Sequence, residues 1–352
     1  MTSSPLNTDI SNQSERQSRA QVANWLFFMA GLVFAMIVVG AITRLTESGL
    51  SMVEWRAIID TFPPMNEAEW QREFELYQAT PEYIHKNFWM NLDDFKKIYF
   101  WEWFHRFMGR IIGVAYALPY IYFLARKKIP SGYGWPLFGL LILGGFQGFM
   151  GWYMVASGLV DRPSVSHYRL AAHLSIAFVI LCLLVICALS LKQVKRAPMP
   201  QLYAHGWVAL GFLAVTIFWG AYVAGLNAGL IYNEFPLMGS GLMPPDMWHL
   251  EPHWINVFEN PAAVQFTHRW LAIVTALVLL SLWAHSLKRG HNAPEFHILA
   301  FITLLQVGLG IATLLSGVNI VLATLHQAGA ALLLLTLSIC LYKAAPLRRQ
   351  GS

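Results

Sequence analysis

Charge is scarce in this chain. Asp, Glu, Lys and Arg together make up 12% of its 352 residues, about half of the roughly 25% in a soluble domain. Side chains so poor in charge cannot cover the surface of a soluble globule, whereas 56% hydrophobic residues suit a lipid-facing one. Cysteine is also nearly missing. The three present, Cys182, Cys187 and Cys340, all lie in apolar stretches. That leaves no outer-loop disulfide and no Cys-based metal site, and they read as small core residues. The first 23 residues are polar and lack an apolar core of their own, so no separate cleavable signal is expected. Asp9 and Glu15 argue against a mitochondrial transit segment. Composition excludes disorder, collagen and coiled coil. The net charge of +5 arises in short loops beside apolar runs, which points to a membrane rather than to nucleic acid.

Long hydrophobic runs are what the chain does have. A span needs about 20 apolar residues, and eight candidates run at 24–43, 101–124, 135–156, 168–191, 204–225, 263–286, 296–316 and 319–342. Basic residues collect on alternate connections. Arg16 and Arg19 precede span 1. Arg126, Lys127 and Lys128 follow span 2, Lys192, Lys195 and Arg196 follow span 4, and Lys288 and Arg289 follow span 6. Lys343, Arg348 and Arg349 close the chain, whereas the opposite short connections hold only Arg162. The positive-inside rule then predicts both termini in the cytoplasm. The connection between spans 1 and 2 is long and carries Trp55, Trp70, Phe74, Tyr77, Phe88 and Trp89. Those aromatics read as interfacial anchors, or as a lid over an outer cavity.

The chain repeats itself. GAITRLTESGL at 40–50 recurs as GAYVAGLNAGL at 220–230, with Gly40, Ala41, Gly49 and Leu50 matched at an offset of 180. Gln147, Gly151, Ser157 and Gly158 recur 159 residues later as Gln306, Gly310, Ser316 and Gly317. The fold class expected is therefore an all-α polytopic membrane protein of eight spans, built as two parallel-repeat four-helix bundles. Its parts are a polar cytoplasmic tail (1–23), an N-terminal half (24–191, with the outer loop 44–100), a linker (192–203), a C-terminal half (204–343) and a short tail (344–352). The repeated glycines allow close helix packing, or make room for the flat face of a large cofactor.

Of twelve histidines, eight read as ordinary interfacial or hydrogen-bonded residues: His85, His167, His205, His249, His253, His285, His291 and His297. Four recur in the repeat. His105 and His268 are expected to open spans 2 and 6, and His173 and His326 to lie in the first turns of spans 4 and 8. Each half then offers two imidazoles from two helices at one depth. That pattern suits the two axial positions of haem iron, whereas zinc or copper wants a third or fourth ligand. Polar side chains linking helices would look the same. Glu102 shares a helix face with His105, and its counterpart before His268 is Gln265. A carboxylate at one site and an amide at the other marks Glu102 as a functional candidate, against the plainer reading of an interfacial Glu reaching water. Arg106 and Arg269 could meet anionic propionates or lipid headgroups.

The stretches FWEWFHRFMGRIIG (100–113), GGFQGFMGWYMVASGL (144–159), HYRLAAHL (167–174), FTHRWLA (266–272) and TLHQAGA (324–330) together resemble the haem A synthase family over the whole chain. The resemblance implies oxidation of a methyl group of haem O to the formyl group of haem A, for cytochrome oxidase. It implies haem b held by His268 and His326 in the C-terminal half, and substrate haem O at His105 and His173 in the N-terminal half. Glu102 then matches the family's catalytic carboxylate. Without the outer-loop cysteine pair of many relatives, the chain resembles the Cys-free proteobacterial and mitochondrial branch. The implied setting is a bacterial inner membrane with the haem sites toward the outer face. Implied partners are a haem O synthase delivering substrate, an electron donor or acceptor, cytochrome oxidase assembly factors and the lipid bilayer; a homo-oligomer is compatible, and no nucleic acid is implied. The residues taken alone leave two rivals open: a bis-His electron-transfer cytochrome b and a haem carrier.

Overall fold

A computed structural model describes residues 5–54, 61–158 and 164–346. Of the sequence expectations, those on Trp55, Arg162, Arg348 and Arg349 fall outside the described residues. The described chain is helical, with α1 (Pro5–Leu45), α2 (Glu67–Gln78), α3 (Leu92–Ala125), α4 (Gly134–Gly158) and α5 (His167–Leu191) in the first part. The second part holds α6 (Pro200–Gly225), α7 (Asn256–Glu259), α8 (Pro261–Lys288), α9 (Pro294–Leu315) and α10 (Ile320–Ala344). Eight of these, all but α2 and α7, are long and apolar enough to cross a membrane, which makes the chain a multi-pass membrane protein. Helices suit lipid because each backbone polar group is satisfied within its own segment.

The helix starts differ from expectation in a way that matters for the site. Span 2 was expected from residue 101, yet α3 begins at Leu92, where the Asn91 side chain accepts from the N–H groups of Asp93 and Asp94. The charges of Asp93, Asp94, Lys96 and Lys97 lower hydropathy without breaking a helix, and acidic residues favour a first turn. Likewise α8 starts at Pro261, with Asn260 as its cap; Asn followed by Pro is a readable start signal. His105 and His268 therefore do not open their helices but lie well inside them. α5 and α10 start at His167 and Ile320, within one residue of the expected spans, and this puts His173 and His326 in their second turns rather than the first turns expected. The segment before span 1 is helical too, and α1 runs on through it.

In the interior, α1 packs against α3, α5 and α10, and α6 packs against α5, α8 and α10. Leu26, Met29, Leu181, Leu184, Leu213, Leu279, Leu299 and Leu337 fill that core. Residues such as Trp135, Leu118, Leu277 and Phe301 lie on outward faces, where lipid rather than water is the expected neighbour. The long connection between α1 and α3 carries its own small core of Met52, Phe74, Tyr77, Phe95, Ile98 and Tyr99, with Trp70 packed on it. This corrects the reading of its aromatics as a set of anchors. Phe74 and Tyr77 are buried inside the loop, while Phe88 and Trp89 remain exposed.

Candidate functional site

The four repeated histidines share one local design. Each imidazole rests on a glycine of a neighbouring helix. A Cβ added at Gly40 would lie 3.2 Å from Cε1 of His105, and one at Gly151 would lie 3.2 Å from Cε1 of His173. At Gly220 it would lie 3.1 Å from His268, and at Gly310 it would lie 2.9 Å from His326. A methyl at Gly310 would clash with its ring, and one at the other three would press on theirs, so these glycines serve as close seats for the imidazoles. A glutamine on α4 and one on α9 complete the pattern. The Gln147 amide nitrogen is 3.2 Å from Nε2 of His173, and that of Gln306 is 3.1 Å from Nδ1 of His326. Thr43 Oγ1 lies 3.4 Å from Nδ1 of His105. The structure brings His105 within electrostatic reach of His173, and His268 within reach of His326. Among the described residues, no group of three His, Cys, Asp or Glu side chains forms a metal site.

Beside the first pair lies Glu102. It is only 3% exposed, which removes the reading of a carboxylate reaching for water. Because α3 starts about two and a half turns before the expected position, the side chain sits under the long loop between α1 and α3 rather than at a helix end. Arg106, one turn on, donates to Oε1 at 2.5 Å, while the Ser51 hydroxyl at 2.7 Å and the Met52 N–H at 2.8 Å donate to Oε2. Arg106 also donates to the carbonyls of Met52 and Glu54. A buried carboxylate is tolerable when paired and hydrogen-bonded in this way.

Beside the second pair the corresponding residues are Gln265 and Arg269. The amide nitrogen of Gln265 donates to the Tyr232 carbonyl at 2.9 Å. Arg269 donates to the carbonyls of Tyr232, Glu234 and Leu237. Tyr232 stands 180 residues after Met52, so both arginines grip the same point of two related loops. Oε1 of Gln265 is buried without a hydrogen-bond partner among the described residues.

The remaining histidines have ordinary surroundings where contacts exist. His205 and His285 face each other with their Nδ1 atoms 3.2 Å apart, His297 bonds Trp283 and Asn292, and His249 bonds Asn260. Sequence reasoning missed Ser51 and Met52, which carry no motif and reach Glu102 only through the folded loop. It also missed Glu82, a lone loop carboxylate buried in the same region.

Fold and site together define a polytopic helical membrane protein in which four repeated histidines rest on glycines and a buried carboxylate, Glu102, is held by an arginine. Residues 23–338 match the COX15-CtaA family model, described as cytochrome oxidase assembly protein. The chain belongs to that family. It is 51% identical over 339 residues to the heme A synthase of Rhodospirillum centenum, covering 95% of this chain and 91% of the relative. It is 44% identical to the heme A synthase of Nitrosomonas eutropha over 90% of this chain and 92% of the relative. For that of Nitrosospira multiformis the identity is 43%, over 94% of each chain.

Proposed function

We propose that this chain is a haem A synthase, a membrane oxidoreductase that converts a methyl group of haem O into the formyl group of haem A for cytochrome oxidase. The observation that carries the reading is similarity over nine-tenths or more of the chain to heme A synthases, one of them 51% identical. The arrangement of the site fits it. Paired imidazoles without a third ligand suit an iron porphyrin better than zinc. The glycine seats leave the imidazole rings a fixed orientation.

His105 and His173 would bind the iron of the substrate haem O, and His268 and His326 would hold haem b, which supplies one-electron chemistry when bound. Glu102 is the base candidate. Its carboxylate would take a proton from a water attacking the methyl-derived carbon, or stabilise positive charge developing there. Two hydroxylations of one methyl, each a two-electron oxidation whose electrons pass to the external electron acceptor this reading requires, give a geminal diol, which loses water to the aldehyde. Arg106 and Arg269, each one residue beyond a ligand histidine, would face the propionates while holding the loops above.

The same reading places both termini in the cytoplasm and both sites toward the outer face of a bacterial inner membrane. It divides the chain into halves at 24–191 and 204–343. Contacts between positions 180 apart support that division. Arg44 bonds the Ala224 carbonyl, and the Asn227 amide donates to Glu47 Oε1 at 3.0 Å. A residue meets its own repeat counterpart only beside an axis relating the halves, as in any two-fold arrangement. Reporter fusions after Lys128, Arg196 and Arg289 should all read cytoplasmic; one periplasmic reading breaks the topology. Delivery by a haem O synthase, an electron partner and assembly factors belong to the proposal as well.

The function is tested by extracting pigment after co-expression with a haem O source. Haem A in the extract supports the proposal. Haem b alone would make the protein a cytochrome, and unchanged haem O would make it a carrier.

A further inference from the structure

Glu82 is a buried carboxyl to which the mechanism above gives no task. It is 4% exposed and lies in the outer loop, just before the short helical turn Tyr83–Asn87. Among the described residues its side chain has one hydrogen bond, from a neutral group: the Tyr77 hydroxyl donates to Oε2 at 3.1 Å. That hydroxyl in turn accepts from the Asn87 amide at 2.7 Å, and Tyr77 itself is fully buried. Among the described residues, no cation stands within ion-pair distance of Glu82. The charged groups facing it are Glu102 from α3, Lys86 from its own turn, and Glu47 with Arg44 from the end of α1. Lys86 leans toward Glu47, 3.9 Å away.

Two buried carboxyls thus lie within electrostatic reach of each other in opposite circumstances. Glu102 has a guanidinium, a hydroxyl and a backbone N–H. Glu82 has a phenol, a like-charged neighbour and little water. Burial first, and the field of Glu102 as well, push its carboxyl up to about 8. Where two titratable groups are pushed apart by their surroundings, acid and base roles separate. On the outward side, Glu47 and Lys86 are each about one-third exposed and lead to solvent.

We propose that Glu82 is the proton-exchange partner of Glu102, receiving each proton that Glu102 takes up and releasing it to outer solvent. This rests on the reading of Glu102 as a base. The balance is simple. Glu82 loses its proton to water by way of the Glu47–Lys86 edge. The O–H bond of protonated Glu102 then breaks and a new O–H bond forms on Glu82. Glu102 is again the anion that Arg106 holds. Glu82 acts through Glu102, without touching substrate.

The test uses the purified full chain with its haem, comparing Glu82→Gln, Glu82→Asp and Glu102→Gln. Glu82→Gln should keep haem absorbance and lower haem A formation by about 10²-fold, the low end of what a positioned acid–base group supplies. In the wild type the rate should rise with pH through about 8, as Glu82 is vacated more readily. Glu82→Gln should lose that rise, and Glu82→Asp should restore it. Independently of turnover, infrared difference spectra should show a protonated carboxylic acid that titrates in the same range and vanishes in Glu82→Gln. Its absence from the wild type overturns the proposal, even where a variant fails to fold. A Glu82→Gln protein with wild-type rate and pH profile, beside an inactive Glu102→Gln, overturns the relay alone. A fully active Glu102→Gln overturns the base reading and the relay with it.

Discussion

The surroundings of Glu102 and of Gln265 are two versions of one construction. In both, an arginine one turn further along the helix grips a loop carbonyl at matching positions, Met52 and Tyr232. In both, the nearby imidazole is seated on a glycine. They differ by one group. Glu102 brings a charge into a nearly dry pocket and draws Arg106, Ser51 and the Met52 N–H onto it. Gln265 brings none, and Arg269 is satisfied by three carbonyls instead. The second version shows that the fold does not need the carboxylate. A buried ion pair is weak evidence for stability in any case. On the proposed function, the charge is kept for what it would do to a substrate.

The most severe way to break the comparison is Glu102→Gln, which turns the first pocket into the second. Haem A formation should fall about 10²–10⁴-fold, the worth of a positioned acid–base group. The protein should still fold and keep haem b, because the Gln265–Arg269 arrangement already stands in this chain. Pigment extraction should find haem O or its hydroxylated form accumulating.

His326→Ala attacks the other side. It should abolish the bis-imidazole haem spectrum of the purified protein. An unaltered spectrum in both His268→Ala and His326→Ala would show that the ligand pair lies elsewhere.

Glu82 sharpens the contrast through stability. Its carboxyl is raised from the ordinary 4.5 to about 8, so the folded loop holds a proton that the unfolded loop gives up. The resulting stabilisation is complete below about 4.5 and is lost as pH rises toward 8, by at most about 1.4 kcal/mol per unit of displacement. Hydrogen exchange of the Tyr77–Asn87 amides, corrected for intrinsic rates, should show that slope, and Glu82→Gln should flatten it.

Smaller effects are expected at the seats and caps. Gly310→Ala places a methyl 2.9 Å from the His326 ring and should cost about 1–3 kcal/mol, as overpacking does. It should also disturb the haem spectrum, because the imidazole must turn. Asn260→Ala removes the α8 cap and should cost about 1 kcal/mol, measured by thermal unfolding in detergent. Asn91→Ala should cost a similar amount at α3, beside the carboxylate pocket, and should lower haem A yield more than Asn260→Ala does.

Much was legible before any coordinates. Eight runs of about 20 apolar residues dictate eight membrane-length helices, because lipid allows little else. The four histidines stood out because each recurs with its neighbours, and Glu102 stood out because its counterpart is an amide. Even the glycine seats were visible as repeated positions, although their role was not. Helix starts were less legible. Hydropathy reports where lipid begins, whereas a helix begins where a cap can satisfy its free N–H groups, as Asn91 and Asn260 do.

What only the tertiary structure decided lies in contacts between residues far apart in sequence. Ser51 and Met52 reach Glu102 across about fifty residues, the loop aromatics turn inward to form their own core, and Glu82 is buried beside a second carboxylate. No local pattern announces any of these. Period and composition record how each segment meets lipid or water, one segment at a time. The ionisation of a buried carboxyl depends instead on which donors and charges the folded chain brings around it.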